Sequence, residues 1–349
     1  MKRADVLKRL GFIVPECKKK RVIIHADIAA EADDQFAIVH HLLSPSEDVV
    51  GIIVANYEWR FRVMGPMIEE RVKKMEDSGM PAETFAAMKN KAAEFAATRL
   101  MTTEKSYAEG KRILELMDID DVMLVRGSKD CITDRDNLPV SEGSEMIIKE
   151  AMKEDDEPLY IALQGTLTDL AVAYLTEPKI AERIKAAIWI GGASYPNGGQ
   201  ESNLQQDIYA AQVIFDSPIN LWQVPVNAYG GMNLSFAELV QKVQTKGKLG
   251  AFLAGRMFEV NDWYADMGRM MEFPHGELWS VGDQPTVSAL LENAAGQDRH
   301  IEKAPHIADD MSYLPNPEGR DIYVYDSIDR RLTMEDFFAK LDLCYGKEN

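Results

Sequence analysis

Cysteine is scarce. Cys17, Cys131 and Cys344 are the three in 349 residues, they lie far apart, and none sits in a CxxC or Cys/His spacing. That excludes a disulfide framework and a thiolate zinc site, and it fits a reducing, cytoplasmic setting. Positive charge is also in short supply. Against 57 Asp and Glu stand 39 Lys and Arg, and the net charge of −18 argues against a nucleic acid polymer as partner. The acids are spread without a long single-sign run and read mostly as solvated surface. Long apolar runs are missing as well. The N-terminal MKRADVLKRLGFIVPECKKKR places charge on both sides of a very short apolar piece, which excludes a signal core or a membrane span there. It reads as a surface helix or arm leading to the first strand. No GxxxxGK[ST] loop is present, which argues against a kinase or phosphatase. No repeat, low-complexity segment or Pro/Ser-rich linker divides the chain, so residues 1–349 read as a single domain able to bury a sizeable core.

What the chain does have is a strand-helix rhythm. Val22 begins a β-rich run, Asp34 to Leu43 carries apolar residues at helical spacing until Ser44-Pro45 stops it, and Val49 to Asn56 is a second β-rich run. Strand, helix and strand in so short a span form a βαβ unit with parallel strands. From Tyr57 to Met117 the pattern turns long, charged and helical, so residues 57–117 are expected to be a helical insertion that covers or walls the site. The rhythm resumes with strands at Val122–Gly127, Leu159–Gln164, Ala187–Gly191 and Ile219–Val224, separated by helices at Gly143–Lys153, Thr168–Leu175 and Gln206–Phe215. The last third predicts helices at Phe236–Val243, Leu249–Phe258, Pro285–Asn293 and Met334–Leu343, with a hairpin-like piece at Arg320–Tyr325. The expected fold is α/β: a mainly parallel, Rossmann-like central sheet with helices on both faces and a helical insertion. Such a sheet places its ligand at the carboxyl ends of the strands.

The stretch VIIHADIAAEADDQF, Val22 to Phe36, runs a buried strand into Asp27, Glu31, Asp33 and Asp34. Acids converging at a strand end repel one another unless a cation or several donors sit among them, which points to a hard metal site. The alternative is that Asp33 and Asp34 only cap the following helix. Asn56, Thr168, Asp169, Asn197, Glu201, Asn203 and Asp283 also fall just past strand ends. This set is rich in oxygen and free of thiolate, a composition that selects Ca²⁺ or Mg²⁺ over zinc. His25 stands beside Asp27 either as a ligand or as a hydrogen-bonding wall residue.

Taken in order, Asp27 and Asp33-Asp34, Asn56, LTDLA at Leu167 to Ala171, ESN at Glu201 to Asn203 followed by Asp207, Ala210-Ala211 and Phe215, and VGDQPTV around Asp283 resemble the inosine-uridine-type nucleoside hydrolases. That family's first motif usually reads DxDPGxDD. Here it is HADIAAEADD, two residues longer and with Ile28-Ala29 where Pro-Gly is usual, closer to a divergent branch whose loop reads DPGGEPDD. The resemblance implies a Ca²⁺ site built from Asp27, Asp34, Asp283 and the backbone carbonyl of Thr168. It implies that Asp27 is also the base that orients the attacking water, and that Asp33, Asn56, Glu201, Asn203 and Asp283 hold the sugar, with Asn197 in place of a further family asparagine. Family members commonly carry a histidine just before the last aspartate to help the leaving base depart; Gly282 occupies that position here. His275, with Trp263, Tyr264 and Trp279 nearby in sequence, either replaces that acid or is a surface-loop histidine among core aromatics. The implied partner is a small-molecule nucleoside or riboside, with no membrane, and the implied assembly a homo-oligomer, dimer or tetramer.

Three functions follow as expectations. The first is Ca²⁺-dependent hydrolysis of the N-glycosidic bond of nucleosides or related ribosides by metal-activated water. Carboxylates and carboxamides around the sugar suit it, because positive charge develops on the ring as the bond breaks. The second is hydrolysis of a different glycoside or modified nucleoside, and the third a catalytically impaired sugar- or nucleoside-binding protein, the reading that Gly282 motivates.

Overall fold

Val22, Ile23, Ile24 and Ala26 are fully buried, and they divide between two cores: Val22, Ile24 and Ala26 join one, Ile23 the other. A strand lined with apolar side chains on both faces belongs to the interior of a parallel sheet. In the computed structural model, which describes residues 1–76, 81–98, 101–154, 157–271, 276–292 and 295–346, this strand is β1 (Lys20–Ala26). The strands β2 (Glu47–Val54), β3 (Leu124–Arg126), β4 (Leu159–Leu163), β5 (Ile184–Ile190) and β6 (Leu221–Val224) follow it in the chain. A small pair, β7 (Asn233–Ser235) with β8 (Leu278–Ser280), comes next, then β9 (Arg299–Lys303), the short pair β10 (His306–Ile307) and β11 (Tyr313–Leu314), and β12 (Asp321–Tyr325).

The main sheet has eight strands in the order β3-β2-β1-β4-β5-β6-β12-β9, parallel throughout except that β9 runs against β12. The mainly parallel α/β architecture is therefore as expected. The expected hairpin at 320–325 is corrected: β12 pairs in parallel with β6 and takes β9, far from it in sequence, as its antiparallel neighbour. The helices Asp34–Leu42, Thr102–Met117, Gly247–Met271 and Arg330–Tyr345 contribute to the core on one face, and Glu142–Ala151, Thr168–Thr176 and Ile208–Asp216 to the core on the other. Among the described residues no helix is long and apolar enough to cross a membrane.

One expectation changes in detail. Ile113, Leu114 and Met117 belong to the main core, so the helix Thr102–Met117 is the crossover that a β2-to-β3 parallel connection requires. Within the described residues of 57–117, the helices Glu58–Glu76 and Ala82–Thr98 are the part extra to the sheet. The N-terminal surface helix leading to β1 is present, and it is anchored. Arg3 is buried and donates to the carbonyls of His41, Leu42, Ser44 and Glu47, tying the helix Arg3–Leu7 to the turn before β2.

The register fixes where ligand-binding groups emerge. His25 lies opposite Leu163 of β4, and Ala26 opposite Val54 of β2, so these strands end level with one another. The chain winds from β1 outward to β3 and then returns to β4 on the other side of β1. That reversal opens a crevice at the carboxyl ends of β1 and β4, the position at which doubly wound sheets bind ligands.

Candidate active site

The acids of the β1 loop occupy this crevice. Asp27 follows β1 and its carbonyl accepts from Ala30 N at 2.7 Å, closing the tight turn that leads toward Asp33. Asp33 stands at the N-cap of the helix Asp34–Leu42, yet its side chain makes no capping hydrogen bond. Capping therefore does not explain the acids. Asp283 arrives from the far end of the chain: β8 pairs with β7, Val281 N reaches Met232 O at 2.7 Å, and the next residues deliver Asp283 to the crevice just ahead of the helix Pro285–Leu291.

Carboxylate oxygens of Asp33, Asp34 and Asp283 lie within 4.8 Å of one another. Asp34 and Asp283 are almost fully buried, and neither forms an ion pair among the described residues. Desolvation, followed by repulsion from the neighbouring acids, holds both carboxyls well above the usual range. Asp34 Oδ1 is buried with no hydrogen-bond partner among the described residues. Carboxylate oxygens crowded together, with the buried Asp34 Oδ1 lacking a donor, fit a hard divalent cation.

Asp27 is buried beside this group and oriented from another side: Gln206 Nε2 donates to its Oδ2 at 2.7 Å. Gly165 makes room for it, since a Cβ there would stand 3.1 Å from Asp27 Cγ. Asn56 is buried and donates through Nδ2 to Ser128 O at 2.9 Å. Asn203 donates to Ile190 O at 2.9 Å and accepts from Gln206 Nε2 at 3.2 Å. Thr168 begins the helix Thr168–Thr176, its hydroxyl 2.8 Å from Asp207 Oδ2 and 2.8 Å from Thr166 Oγ1.

The remaining candidates are placed differently. Glu201 caps the helix Ser202–Gln206 through Asn203 N and Leu204 N, and it also accepts from Gly192 N at 2.7 Å and Tyr229 OH at 2.8 Å. Its two oxygens thus already serve four protein donors. Asn197 is exposed, with its carbonyl accepting from Tyr313 N at 2.9 Å, and no hydrogen bond among the described residues ties its side chain to the acids. His275 lies outside the described residues. His25 is fully buried, and its Nε2 lies 2.9 Å from Asp169 Oδ2, so its ring is engaged in the wall of the site. Asp169 Oδ1 in turn accepts from Ser128 N at 2.9 Å and from Ser141 Oγ at 2.5 Å. Donation from these groups, His25 among them, keeps Asp169 below the usual carboxylate range despite complete burial. Gln206 and Tyr229 had no signal in the sequence, because only the tertiary fold brings them to Asp27 and Glu201.

Residues 83–329 match the family model of the inosine-uridine preferring nucleoside hydrolases. The chain belongs to this family, one of metal-dependent hydrolases. The matched segment contains Thr168, Asn197, Glu201, Asn203 and Asp283, and it excludes Asp27, Asp33, Asp34 and Asn56. The probable uridine nucleosidase 1 of Oryza sativa subsp. japonica is 27% identical over 127 residues, 35% of this chain and 39% of that protein. The inosine-uridine preferring nucleoside hydrolase of Leishmania major is 24% identical over 153 residues, 42% of this chain and 46% of that protein. These matches span less than half the length of the curated relatives. Likeness in structure runs further. A plant nucleoside hydrolase superposes with a TM-score of 0.66 at 17% identity, covering 92% of this chain and 98% of the other. A purine-preferring ribonucleoside hydrolase from Gardnerella vaginalis gives 0.60 at 16% identity, covering 93% and 99%. The likeness in fold thus covers more of the chain than the family model, which spans residues 83–329.

Proposed function

We propose that this chain hydrolyses the N-glycosidic bond of nucleosides or related ribosides, with Ca²⁺ as its cation and Asp27 as the base. The observation that carries the reading is the convergence of Asp33 with the buried Asp34 and Asp283, Asp34 Oδ1 having no hydrogen-bond partner among the described residues, beside Asp27 at the switch point of the sheet. Asp34, Asp283, Asp27 and the Thr168 carbonyl would hold the ion, an all-oxygen set suited to Ca²⁺. Bound there, the cation supplies charge neutralisation, polarisation of water and a grip on sugar hydroxyls.

The residues of the chain divide the work. The Asp27 carboxylate takes a proton from the attacking water as the water oxygen bonds to the anomeric carbon. The carbon–nitrogen bond breaks and its electron pair leaves with the base. Positive charge growing on the ring is met by the carboxylates of Asp33 and Asp283. Asn56 and Asn203 hold sugar hydroxyls through their carboxamides, fixing the anomeric carbon in front of Asp27. Glu201 joins them by exchanging Tyr229 OH for a sugar hydroxyl.

A second reading, a changed leaving group, is favoured by the surroundings of Gly282. A Cβ at that position would meet Tyr229 Cδ2 at 3.2 Å, Ser280 Oγ at 3.3 Å and Asp33 Oδ2 at 3.5 Å. The ring of Tyr229 thus takes up space that a larger side chain at 282 would need.

Incubation with a nucleoside panel and p-nitrophenyl riboside, with added Ca²⁺ and with chelator, tests both readings. Release of base and reducing sugar that chelation abolishes is expected. Turnover of the aryl riboside or of modified nucleosides alone selects the second reading. Sugar binding without any turnover identifies an impaired binder and overturns the hydrolase.

A further inference from the structure

Gln206 ends the short helix Ser202–Gln206 that also carries Asn203, and its amide spans from that helix to the β1 loop. Its Nε2 lies 2.7 Å from Asp27 Oδ2 and 3.2 Å from Asn203 Oδ1. One nitrogen therefore binds the proposed base and a proposed sugar ligand together. The direction of the amide is set by chemistry, because turning it over would put its carbonyl oxygen against two acceptors. With Nε2 committed in this way, Oε1 is left buried with no hydrogen-bond partner among the described residues. A side chain present only to fill space would be apolar or fully bonded, since the fold gains nothing from a buried acceptor without a donor. Such local inconsistencies collect where function requires them.

The contact also orients the two oxygens of Asp27. A carboxylate free to rotate presents either oxygen to water in changing directions. Held through Oδ2 by an amide that is itself tied to the Asn203 helix, Asp27 has its carboxylate plane fixed, and Oδ1 with it. The same tie couples the position of the base to that of the sugar grip.

We infer that Gln206 is a positioning residue: it pins the Asp27 carboxylate through Oδ2 and keeps the base in register with Asn203. The inference rests on the nucleoside-hydrolase reading, and it assigns to Gln206 no part in gripping the cation or the sugar. The fault that follows its loss is one of alignment, which lowers turnover and leaves ground-state binding in place.

The test compares wild type, Gln206→Met, Asp27→Asn and the double variant, each as the full chain with Ca²⁺. Methionine preserves length and removes the donor. The nucleoside is the one that wild type cleaves fastest. Gln206→Met is expected to lower kcat by about 30- to 100-fold with KM within about threefold. Its melting midpoint and its calorimetric affinities for Ca²⁺ and for D-ribose should stay close to wild type. In the Asp27→Asn background the same change should have no further effect on residual turnover, because its target is gone. Unchanged kcat in Gln206→Met, an equal loss of Ca²⁺ or ribose affinity, or additive losses in the double variant would each overturn the inference and leave the hydrolase reading intact. Absence of turnover in wild type removes the reading and the inference with it.

Discussion

Asp34 is a carboxylate in surroundings made for a neutral group or for a cation. Desolvation and the charges of Asp27, Asp33 and Glu31 raise its pKa well above 3.8, and Asp283 is raised by burial and by the same set together with Asp34 itself. In the unfolded chain both acids titrate near 3.8, so the cation-free fold binds more protons than the unfolded chain at any pH between that value and the raised ones. Stability from these two groups is fully present at low pH and is lost as pH rises through the folded-state values. With chelator, the melting midpoint is therefore expected to fall as pH rises from 3.8 toward the raised folded-state values. Asp34→Asn should flatten that fall and stabilise the chelated protein by about 1–3 kcal/mol at the upper pH. With Ca²⁺ at about a hundred times its Kd, the order should reverse, as wild type gains about 2.7 kcal/mol from binding and the variant does not. Parallel melting curves against pH for the two proteins in chelator would show that Asp34 carries no such burden. The acids could be found in the sequence because each follows a strand, and strand ends are visible as apolar runs. Gln206 could not, since nothing in the chain near it points to Asp27, which is 179 positions away. Glu201 was legible as a polar residue at the right place, but its capping of Ser202–Gln206 and its contact with Tyr229 depend on the fold.

At the scale of elements, the site depends on how closely strand ends and helix starts approach one another. Gly127 follows β3 and its N–H donates to Val54 O of β2 at 2.9 Å, while Asp169 crosses from the start of the helix Thr168–Thr176 to bond Ser128, the next residue. A Cβ on Gly127 would lie 2.3 Å from Asp169 Oδ2 and 2.9 Å from Val54 O, one of them a backbone atom with no room to yield. Gly127→Ala should cost about 1–3 kcal/mol in denaturant unfolding. It should also raise KM, because Ser128 O is what holds Asn56. A variant as stable as wild type would mean that β2, β3 and this helix have slack that the distances deny. Strand and helix identity were readable from period and length, whereas pairing was not. β9, with Arg299, His300, Glu302 and Lys303 around a half-exposed Ile301, offers no apolar run, and it is a strand because β12 presents a free edge to it. The helix Thr102–Met117 was merged with its neighbours for the opposite reason. Its sequence is as charged as theirs, and only its buried stripe of Ile113, Leu114 and Met117 distinguishes it.

The whole molecule sets two helices against its site. Glu58–Glu76 and Ala82–Thr98 rest on a small cluster in which Tyr57 and Phe61 pack with Ala29 and Ala30 of the β1 loop and with Trp263. The first of them also packs against Ser202–Gln206. They touch the segments that carry Asp27 on one side and Asn203 and Gln206 on the other, and among the described residues they add nothing to the two large cores. The chain also leaves and re-enters at one place, for Thr102 Oγ1, at the start of the helix Thr102–Met117, donates to Glu58 Oε1 at 3.0 Å. Residues 60–100 can thus be replaced by a short Gly-Ser linker without stretching the chain, and closing so short a loop is inexpensive. If these helices act as a wall for the site, the excised protein keeps its cooperative unfolding, with a loss of about 1–2 kcal/mol from the small cluster. It should keep Ca²⁺ affinity within about tenfold, since none of the proposed ligands is removed. Its kcat/KM should drop by about a hundredfold or more, because the β1 loop loses its backing and water enters the crevice. Turnover close to wild type would make the insertion peripheral to the chemistry, and collapse of the unfolding transition would make it part of the core. Retained folding and cation binding with lost turnover is the outcome that the placement of Ala29, Ala30 and the Gln206 helix requires.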